Sequence, residues 1–322
     1  GLGVLDLESV VVPGHEAEFD AGRVGDAGNH VPLEDEEAPE ERVHLGEQAG
    51  DGLVGGPGKR LLGVGVLDGV GLPGLGRHVV VLARRHPLRR QLEREGFEVT
   101  YLDPDTSGLI TAEAVANSLR DDTVLVTVMH ANNEIGTLLP LKEVAILCRK
   151  HNAYFHSDTV QTMGHYSFDL KDLDIDFLTC AAHKFHGPKG TGFLYANSKT
   201  NLVPMIHGGA QERGFRGGTE NIYGIVGLSK AMDLAYHDLI EHQEHVWDLK
   251  SHMISEFKKY FDQIDFHGEI SKESSLYTVL NVCFPATEKA SMLLFTLDLK
   301  GIAASGGSAC SSGAAKGSHV LD

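Results

Sequence analysis

Cysteine is scarce in this chain, and acidic residues outnumber basic ones. The four cysteines, Cys148, Cys180, Cys283 and Cys310, lie far apart and form no CxxC pair, so the sequence predicts neither a disulfide framework nor a zinc site. There are 28 Lys and Arg against 45 Asp and Glu, for a formal net charge of −17. Because nucleic-acid phosphates require a basic surface, this balance argues against a nucleic-acid partner.

Long apolar runs are also missing. No stretch approaches the roughly 18 uninterrupted apolar residues expected of a membrane span. The acidic start, with Asp6, Glu8 and Glu16, is unlike a signal or transit peptide. We therefore expect no membrane association, reduced thiols and a cytoplasmic location. The 322 residues, 42% of them hydrophobic, suffice for one large domain or two ordinary ones.

The first 80 residues differ in composition from the rest. They contain no Ile, Met, Tyr, Trp, Cys or Thr, yet they hold 18 of the 38 glycines. Two interpretations remain open. This stretch is either a loosely ordered acidic extension or not the native reading of its gene, since its residue types are those that GC-rich DNA encodes out of frame. Residues 1–85 are therefore left unassigned, with no site among them.

Beyond this region, apolar patterns of strand and helix alternate. The alternation indicates an α/β fold in which a mainly parallel sheet is flanked by helices. We predict a large domain over residues 86–262 and a smaller C-terminal α/β domain over 263–322. The predicted strands are 97–102, 123–129, 154–157, 177–180, 192–195, 276–284 and 302–304, and the predicted helices are 111–120, 141–152, 222–261 with one break, and 288–300.

Polar residues suited to a cofactor follow three of these strands. Asp158 comes after the 154–157 strand, Lys184 follows the 177–180 strand, and Asn133 lies after the 123–129 strand. Ligands of an open parallel sheet bind beyond the carboxyl ends of its strands. Taken singly, Asp158 is equally natural as a helix N-cap and Lys184 as a solvated lysine. Together with Gln161, they have the order that a pyridoxal-phosphate (PLP) enzyme needs.

Cys310 lies in a loop rich in glycine and serine, residues 305–313. Such a loop cannot pack a core, so we expect an exposed thiol that can ionise to a nucleophilic thiolate. The other three cysteines have core patterns, Cys148 on the apolar side of a helix and Cys180 and Cys283 in strands.

Five stretches match a known family in order and spacing. They are VMHANNEIGTLLPL, HSDTVQT, AAHKFHGPKGTGFLY, HGGAQERGFRGGTEN, and SGGSACSSG with the later SHVL. From about Gly96 to Leu321 the chain resembles NifS/IscS-type cysteine desulfurases, in the class-V aminotransferase group of fold-type-I PLP enzymes. The resemblance implies a homodimeric enzyme that converts L-cysteine to L-alanine and passes sulfur to an iron–sulfur scaffold or another sulfur-acceptor protein.

The same resemblance implies how the cofactor is held. Lys184 would form the Schiff base with PLP, and Asp158 would pair with its ring nitrogen. Gln161 and Asn133 would bind the phenolic oxygen of the ring.

Four further residues receive roles by resemblance. His183 would help to hold the phosphate, and Thr219 would reach the cofactor phosphate of the neighbouring subunit. His86 is the candidate for a histidine that stacks on the ring, and Cys310 would accept the sulfur as a persulfide.

The chain departs from the family pattern in several places. Ala181 stands where the family has a phosphate-binding serine, and no Ser-Gly-Gly-Thr-Glu loop occurs in residues 1–80. His86 lies closer to the next matched stretch than in the family. The chain stops at Asp322, before the family's substrate-carboxylate arginine, so we expect a truncated C-terminal domain. Two alternatives stay open, a selenocysteine lyase and a catalytically inactive fragment of the fold.

Overall fold

The computed structural model describes residues 2–6, 61–62, 78–82, 92–200, 202–287, 290–306 and 320. These residues belong to one compact unit formed by residues 1–11 and 59–322. At its centre is a six-stranded sheet. From one edge to the other its strands are β4 (Glu98–Leu102), β3 (His78–Leu82), β5 (Thr123–Met129), β6 (Tyr154–Asp158), β7 (Phe177–Ala181) and β8 (Gly192–Ala196).

The sheet is mainly parallel, as the sequence predicts. Neighbouring strands from β4 to β7 run parallel, and only β8, at the edge, runs antiparallel to β7. The inner strands are rich in apolar and β-branched residues, and Val126, Val128 and Phe155 are almost fully buried. Such buried strands are typical of parallel sheets, whose faces are covered by helices.

Within the central sheet, sequence analysis missed β3, since residues 1–85 were left unassigned. His78–Leu82 pairs with both β4 and β5, next to the centre of the sheet. The buried imidazole of His78 shares hydrogen bonds of 2.7 Å with Thr123 and with Thr100 on the two neighbouring strands. The run of three valines and a leucine is an ordinary strand signal, but the glycine-rich stretch before it obscured the pattern.

The predicted helices agree with the structure apart from their ends, and sequence analysis missed the short helix Leu170–Leu173. Thr111 caps the first, because its hydroxyl oxygen accepts a hydrogen bond from the Ala114 amide at 3.1 Å. The long helical pattern breaks at Asp238. No helix in the described part of the chain combines the length and apolar character that a bilayer crossing needs. The α-helices are α1 (Ala112–Ser118), α2 (Leu141–Lys150), α3 (Leu170–Leu173), α4 (Ile222–His237), α5 (Leu239–Tyr260) and α6 (Leu293–Leu299).

Two smaller sheets complete the described strands. The first is antiparallel, with β11 (Val279–Cys283) between β1 (Leu2–Asp6) and β10 (Asp265–His267). The second pairs β2 (Leu61–Leu62) with β9 (Leu202–Val203) in parallel. The division into domains at residues 262 and 263 stays a prediction.

The predicted strand over residues 302–304 is wrong. After α6 the amide of Ile302 donates back to the Leu297 carbonyl at 2.9 Å, and Gly301 adopts a positive φ of 73°. This geometry closes the helix end, so the backbone here caps α6 instead of pairing in a sheet. In the described part of the predicted helix over 288–300, a 3-10 turn at Ala290–Met292 precedes the α-helix, which begins at Leu293.

A fully buried lysine ties α5 to the segment before β11. The ammonium group of Lys250 donates to the Ser275 hydroxyl at 2.6 Å and to the Leu276 carbonyl at 2.8 Å. Burial lowers the pKa of Lys250 to about 7, from an ordinary value of 10.5. A neutral amine retains two hydrogens, so it can still donate to both oxygens.

Replacing Lys250 with Met should destabilise the fold in a pH-dependent way. The variant leaves two buried acceptors without their donor, which should cost about 1–3 kcal/mol. Between about pH 7 and 10 the unfolded wild type binds a proton that the folded state lacks, so wild-type stability rises with pH. The free energy of unfolding, measured by urea denaturation, should therefore favour the wild type over Lys250→Met more strongly at pH 9 than at pH 6.5.

The matched control is Lys230→Met, at an exposed position on α4. Its stability difference from wild type should be small and independent of pH. The free energy of unfolding that wild type has in excess of Lys250→Met should grow as pH rises. If this excess stays constant or shrinks, the buried amine is not neutral in the folded state.

Candidate active site

The carboxyl ends of β5, β6 and β7 lie side by side at one edge of the central sheet. In register, Met129 on β5 pairs with Asp158 on β6, and Asp158 pairs with Thr179 on β7. Asp158 is thus the last residue of a strand whose neighbours lead into the segments that carry Asn133 and Lys184. The fold brings these three positions to the same edge, because neighbouring parallel strands end on the same side.

Asp158 opens a tight turn that also carries Gln161. The amide of Val160 donates to one carboxylate oxygen of Asp158 at 2.9 Å, and the amides of Thr162 and Met163 donate to the Thr159 carbonyl. Asp158 therefore caps this turn with one oxygen only. Within the described residues, the second oxygen and the Gln161 amide have no partner, and both side chains are half-buried.

Two histidines lie close to Asp158, since His156 precedes it by two residues on β6 and the His130 amide donates to the Asp158 carbonyl at 2.9 Å. Burial lowers the pKa of His130 to about 4. Burial also lowers the pKa of His156, an effect that the charge of Asp158 opposes. Each ring nitrogen Nδ1 is engaged by a threonine hydroxyl, from Thr127 for His156 at 2.7 Å and from Thr162 for His130 at 2.9 Å. At neutral pH neither imidazole offers Asp158 a positive charge, which leaves its carboxylate available to a cationic ligand group.

Lys184 lies on a 3-10 turn that begins directly after β7. Ala182 and Phe185, three residues apart, are buried and anchor the turn, and the Gly187 amide closes it by donating to the Ala182 carbonyl at 2.8 Å. The Lys184 side chain, which lies between these two anchors, is half-buried. In the described part of the chain nothing pairs with the Lys184 amine, so it is available to a ligand at this edge.

The Asp158 turn and the Lys184 turn are packed directly together. Gly164 has a φ of 81°, and a β-carbon at this position would lie 2.7 Å from the β-carbon of Phe185. Only glycine fits both the backbone conformation and the space. The next residue, His165, donates from Nε2 to the Lys184 carbonyl at 3.0 Å. Sequence analysis missed His165, because its partner Lys184 is 19 residues away in sequence and no local sequence pattern indicates the contact.

The side chain of Asn133 is available to a ligand because its neighbour Asn132 makes the hydrogen bonds of the turn. The side-chain oxygen of Asn132 accepts hydrogen bonds from the amides of Glu134 and Ile135 at 2.9 and 3.1 Å, and its carbonyl accepts from Gly136. Asn132 therefore builds the turn, as Asn side chains commonly do. The half-buried Asn133 amide has no partner within the described residues.

The remaining predicted residues lie in different places. His183 is exposed on the same turn as Lys184, and Thr219 is exposed on the loop before α4. An exposed position is what a residue that serves a neighbouring subunit requires. His86 and Cys310 lie outside the described residues.

The side chains at this edge fit pyridoxal phosphate. An amine suits the aldehyde, a carboxylate without a cationic partner suits a protonated ring nitrogen, and two amides suit the phenolic oxygen. These groups belong to Lys184, Asp158, Gln161 and Asn133. Ala181, the last residue of β7, offers no hydroxyl to the phosphate.

Comparison with known proteins agrees with this geometry. The family model "Aminotransferase class-V" matches residues 76–320. The cysteine desulfurase IscS of Clostridium botulinum is 42% identical over 250 residues, which cover 76% of this chain and 63% of that protein. The putative cysteine desulfurase IscS 1 of Bacillus subtilis is 43% identical over 251 residues, covering 77% of this chain and 65% of that protein.

Solved structures show the same fold. A NifS-like protein superposes with a TM-score of 0.65 at 36% identity, covering 71% of this chain and 63% of its own. DndA from Streptomyces lividans superposes with a TM-score of 0.61 at 31% identity, covering 70% and 64%. The predicted fold type I is thereby confirmed.

The chain spans a little under two thirds of the length of these relatives. The match nevertheless includes four motifs in full, the fifth except for Leu321, and most of the residues that the structure describes. This chain belongs to the class-V aminotransferase family, whose members are PLP-dependent enzymes, and its relatives there include IscS and NifS-like cysteine desulfurases.

Proposed function

We propose that this chain is a PLP-dependent cysteine desulfurase, which converts L-cysteine to L-alanine and keeps the sulfur as a persulfide on Cys310. One observation carries the proposal. Asp158 ends β6 and Lys184 follows β7, the adjacent parallel strand in register with it, and each side chain has a polar atom without a partner in the described structure. The identity of 42% to a cysteine desulfurase supports the same chemistry.

Each residue at the sheet edge has a defined task in this proposal. PLP, when bound, supplies an electron-accepting ring conjugated to the α-carbon of the amino acid. Asp158 would hold the proton on the ring nitrogen, and Asn133 and Gln161 would orient the ring through its phenolic oxygen. The Lys184 amine would hold the cofactor at its aldehyde and would be placed to accept the proton from the substrate α-carbon.

The sulfur-transfer step requires a thiolate. In the proposal, the Cys310 thiolate attacks the sulfur of the bound cysteine, and an S–S bond forms while the C–S bond breaks. The electron pair of the broken bond stays with the substrate carbon, which takes up a proton and leaves as part of alanine. The glycine and serine residues around Cys310 support this role, because they allow a loop to carry the thiol to the substrate.

The sulfur then passes to an acceptor. We propose an iron–sulfur scaffold or another sulfur-acceptor protein for this role. The buried, unpaired thiols of Cys148 and Cys180 suit a reducing compartment, which supports the proposal of a cytoplasmic location.

Replacing Cys310 with Ala should abolish turnover without removing the cofactor. After addition of PLP, the visible absorbance of the bound cofactor should match wild type, because Lys184 and Asp158 are intact. Sulfide release from L-cysteine in the presence of a reductant should fall to background, since no thiolate remains to take the sulfur.

Cys283→Ala is the control, because this half-buried thiol lies on β11 and should be dispensable. Sulfide release that persists in Cys310→Ala would remove Cys310 from the mechanism. Faster turnover of selenocysteine than of cysteine by the wild type would assign a selenocysteine lyase instead.

We also propose that the chain forms a homodimer through the start of α4. Four large apolar side chains in the first turns of this helix are exposed, and Phe215 on the preceding loop is 51% exposed. An exposed cluster of this kind is typical of a protein–protein interface. It is continuous in sequence with Thr219, which suits a residue that reaches into a neighbouring site. The helix residues, with their exposed fractions, are Ile222 (64%), Tyr223 (92%), Ile225 (45%) and Val226 (63%).

Replacing Tyr223 with Glu should shift the protein from dimer to monomer. Burying a charge at the centre of an apolar interface is unfavourable, so the dissociation constant of the dimer should rise by about tenfold or more. Size-exclusion chromatography with light scattering measures the mass directly. Tyr260→Glu, at a position 68% exposed near the end of α5, is the control and should remain dimeric. A wild type that is monomeric, or a Tyr223→Glu protein as dimeric as wild type, would refute the interface.

A further inference from the structure

A buried pair of side chains connects the Lys184 backbone to a distant segment. His165 donates from Nε2 to the Lys184 carbonyl at 3.0 Å, and its Nδ1 shares a hydrogen bond of 2.8 Å with the Tyr277 hydroxyl. The exposed fractions of His165 and Tyr277 are 5% and 3%. The contact spans 112 residues of sequence, so it joins two parts of the chain that local structure does not connect.

The direction of both hydrogen bonds follows from the chemistry of the partners. A carbonyl only accepts, so Nε2 of His165 must carry the hydrogen that Lys184 receives. In the neutral ring Nδ1 is then an acceptor, and the Tyr277 hydroxyl is its donor. The chain of donors therefore runs from Tyr277 through His165 to the backbone of Lys184, and each member is satisfied.

The backbone of His165 is itself held in place. Its amide donates to the Thr162 carbonyl at 3.0 Å within the turn that follows Asp158, and its carbonyl accepts from the Gln243 amide. His165 thus belongs to the Asp158 turn while its ring holds the Lys184 turn. It fixes the lysine and the aspartate relative to one another.

Tyr277 belongs to a segment, residues 274–281, that also supports the Asn133 loop. Within it the Leu276 amide donates to the Gly136 carbonyl at 2.7 Å, and the Asn281 side chain donates to the Glu134 carbonyl at 3.2 Å. We call residues 274–281 the brace segment. It contacts the loop of the proposed phenolic-oxygen ligand and, through Tyr277, the turn of the proposed Schiff-base lysine.

We propose that His165 and Tyr277 are positioning residues for Lys184, which act by holding its peptide against the brace segment. This inference rests on the proposed function, because it assigns a purpose to the placement of the lysine. Lys184 has four rotatable side-chain bonds, so a fixed backbone removes one source of freedom at its amine. A lysine that must bind an aldehyde and then transfer a proton is positioned more accurately when its backbone is fixed.

Three variants separate the two hydrogen bonds from general packing. His165→Leu removes the donor to Lys184, and Tyr277→Phe removes only the hydroxyl that orients the imidazole. His165→Gln is the rescue, since its side-chain amide can donate from nearly the position of Nε2. Tyr166→Phe is the matched control, because this tyrosine packs against Tyr277 and its hydroxyl contacts the brace segment at the Ser275 carbonyl and the Tyr277 backbone, outside the hydrogen bonds between Tyr277, His165 and Lys184.

The first readout is hydrogen–deuterium exchange of the amides in residues 182–187 of the full chain without cofactor. We expect exchange about tenfold faster in His165→Leu and several-fold faster in Tyr277→Phe, with His165→Gln close to wild type and Tyr166→Phe unchanged. The second readout is the PLP dissociation constant, which should rise about tenfold in His165→Leu. The third is the pH dependence of the cofactor absorbance, whose midpoint should move in His165→Leu and Tyr277→Phe only.

The outcomes distinguish this inference from the proposed function. Unchanged exchange over 182–187 in both His165→Leu and Tyr277→Phe would overturn the positioning role, as would equal acceleration in Tyr166→Phe. If the wild type fails to bind PLP at all, the proposed function fails, while the exchange measurement still decides whether the pair holds the Lys184 backbone.

Discussion

The parallel pairing of β6 and β7 is the constraint on which the site depends. Because the two strands run in the same direction and in register, the residues after their carboxyl ends meet at one edge. Asp158 ends the first strand and Lys184 lies on the first turn after the second. An acid and an amine that are 26 positions apart in sequence thereby lie at the same edge of the sheet, although their side chains need not contact each other.

The surroundings of Asp158 determine which ligand this edge of the sheet can bind. Two histidines lie close to Asp158, and burial lowers the pKa values of His130 and His156, so neither offers it a positive charge at neutral pH. The carboxylate is therefore available to a cationic group of a ligand. A protonated pyridine nitrogen is a cation of the right kind, and its pairing with a carboxylate in a partly buried site is stronger than the same pairing in water.

Support for the site comes from a part of the chain remote in sequence. The brace segment lies against the Asn133 loop through backbone hydrogen bonds and reaches Lys184 through Tyr277 and His165. The buried amine of Lys250 holds the same segment to α5. Groups on loops need such a second layer of contacts to keep their geometry, and here the brace segment, most of which precedes β11, supplies it.

Much of this arrangement could be predicted from the sequence, and the exceptions share a physical cause. The β5 strand and the Thr111 cap follow from local patterns, and the motifs around Asp158 and Lys184 follow from order and spacing. His165, Tyr277 and Lys250 could not be found in this way, because their partners are distant in sequence and each looks like an ordinary core or surface residue. β3 was missed for a different reason, since its short valine run follows a glycine-rich stretch that obscures it.

The most direct test maps the lysine that holds the cofactor. The full chain would be incubated with PLP, reduced with borohydride to make the linkage permanent, digested, and analysed by mass spectrometry. The convergence of β6 and β7 predicts a single modified lysine, Lys184, and loss of the modification in Lys184→Ala. Modification of a different lysine, such as Lys189, or of many lysines to equal extent, would contradict the placement of the site at this edge of the sheet.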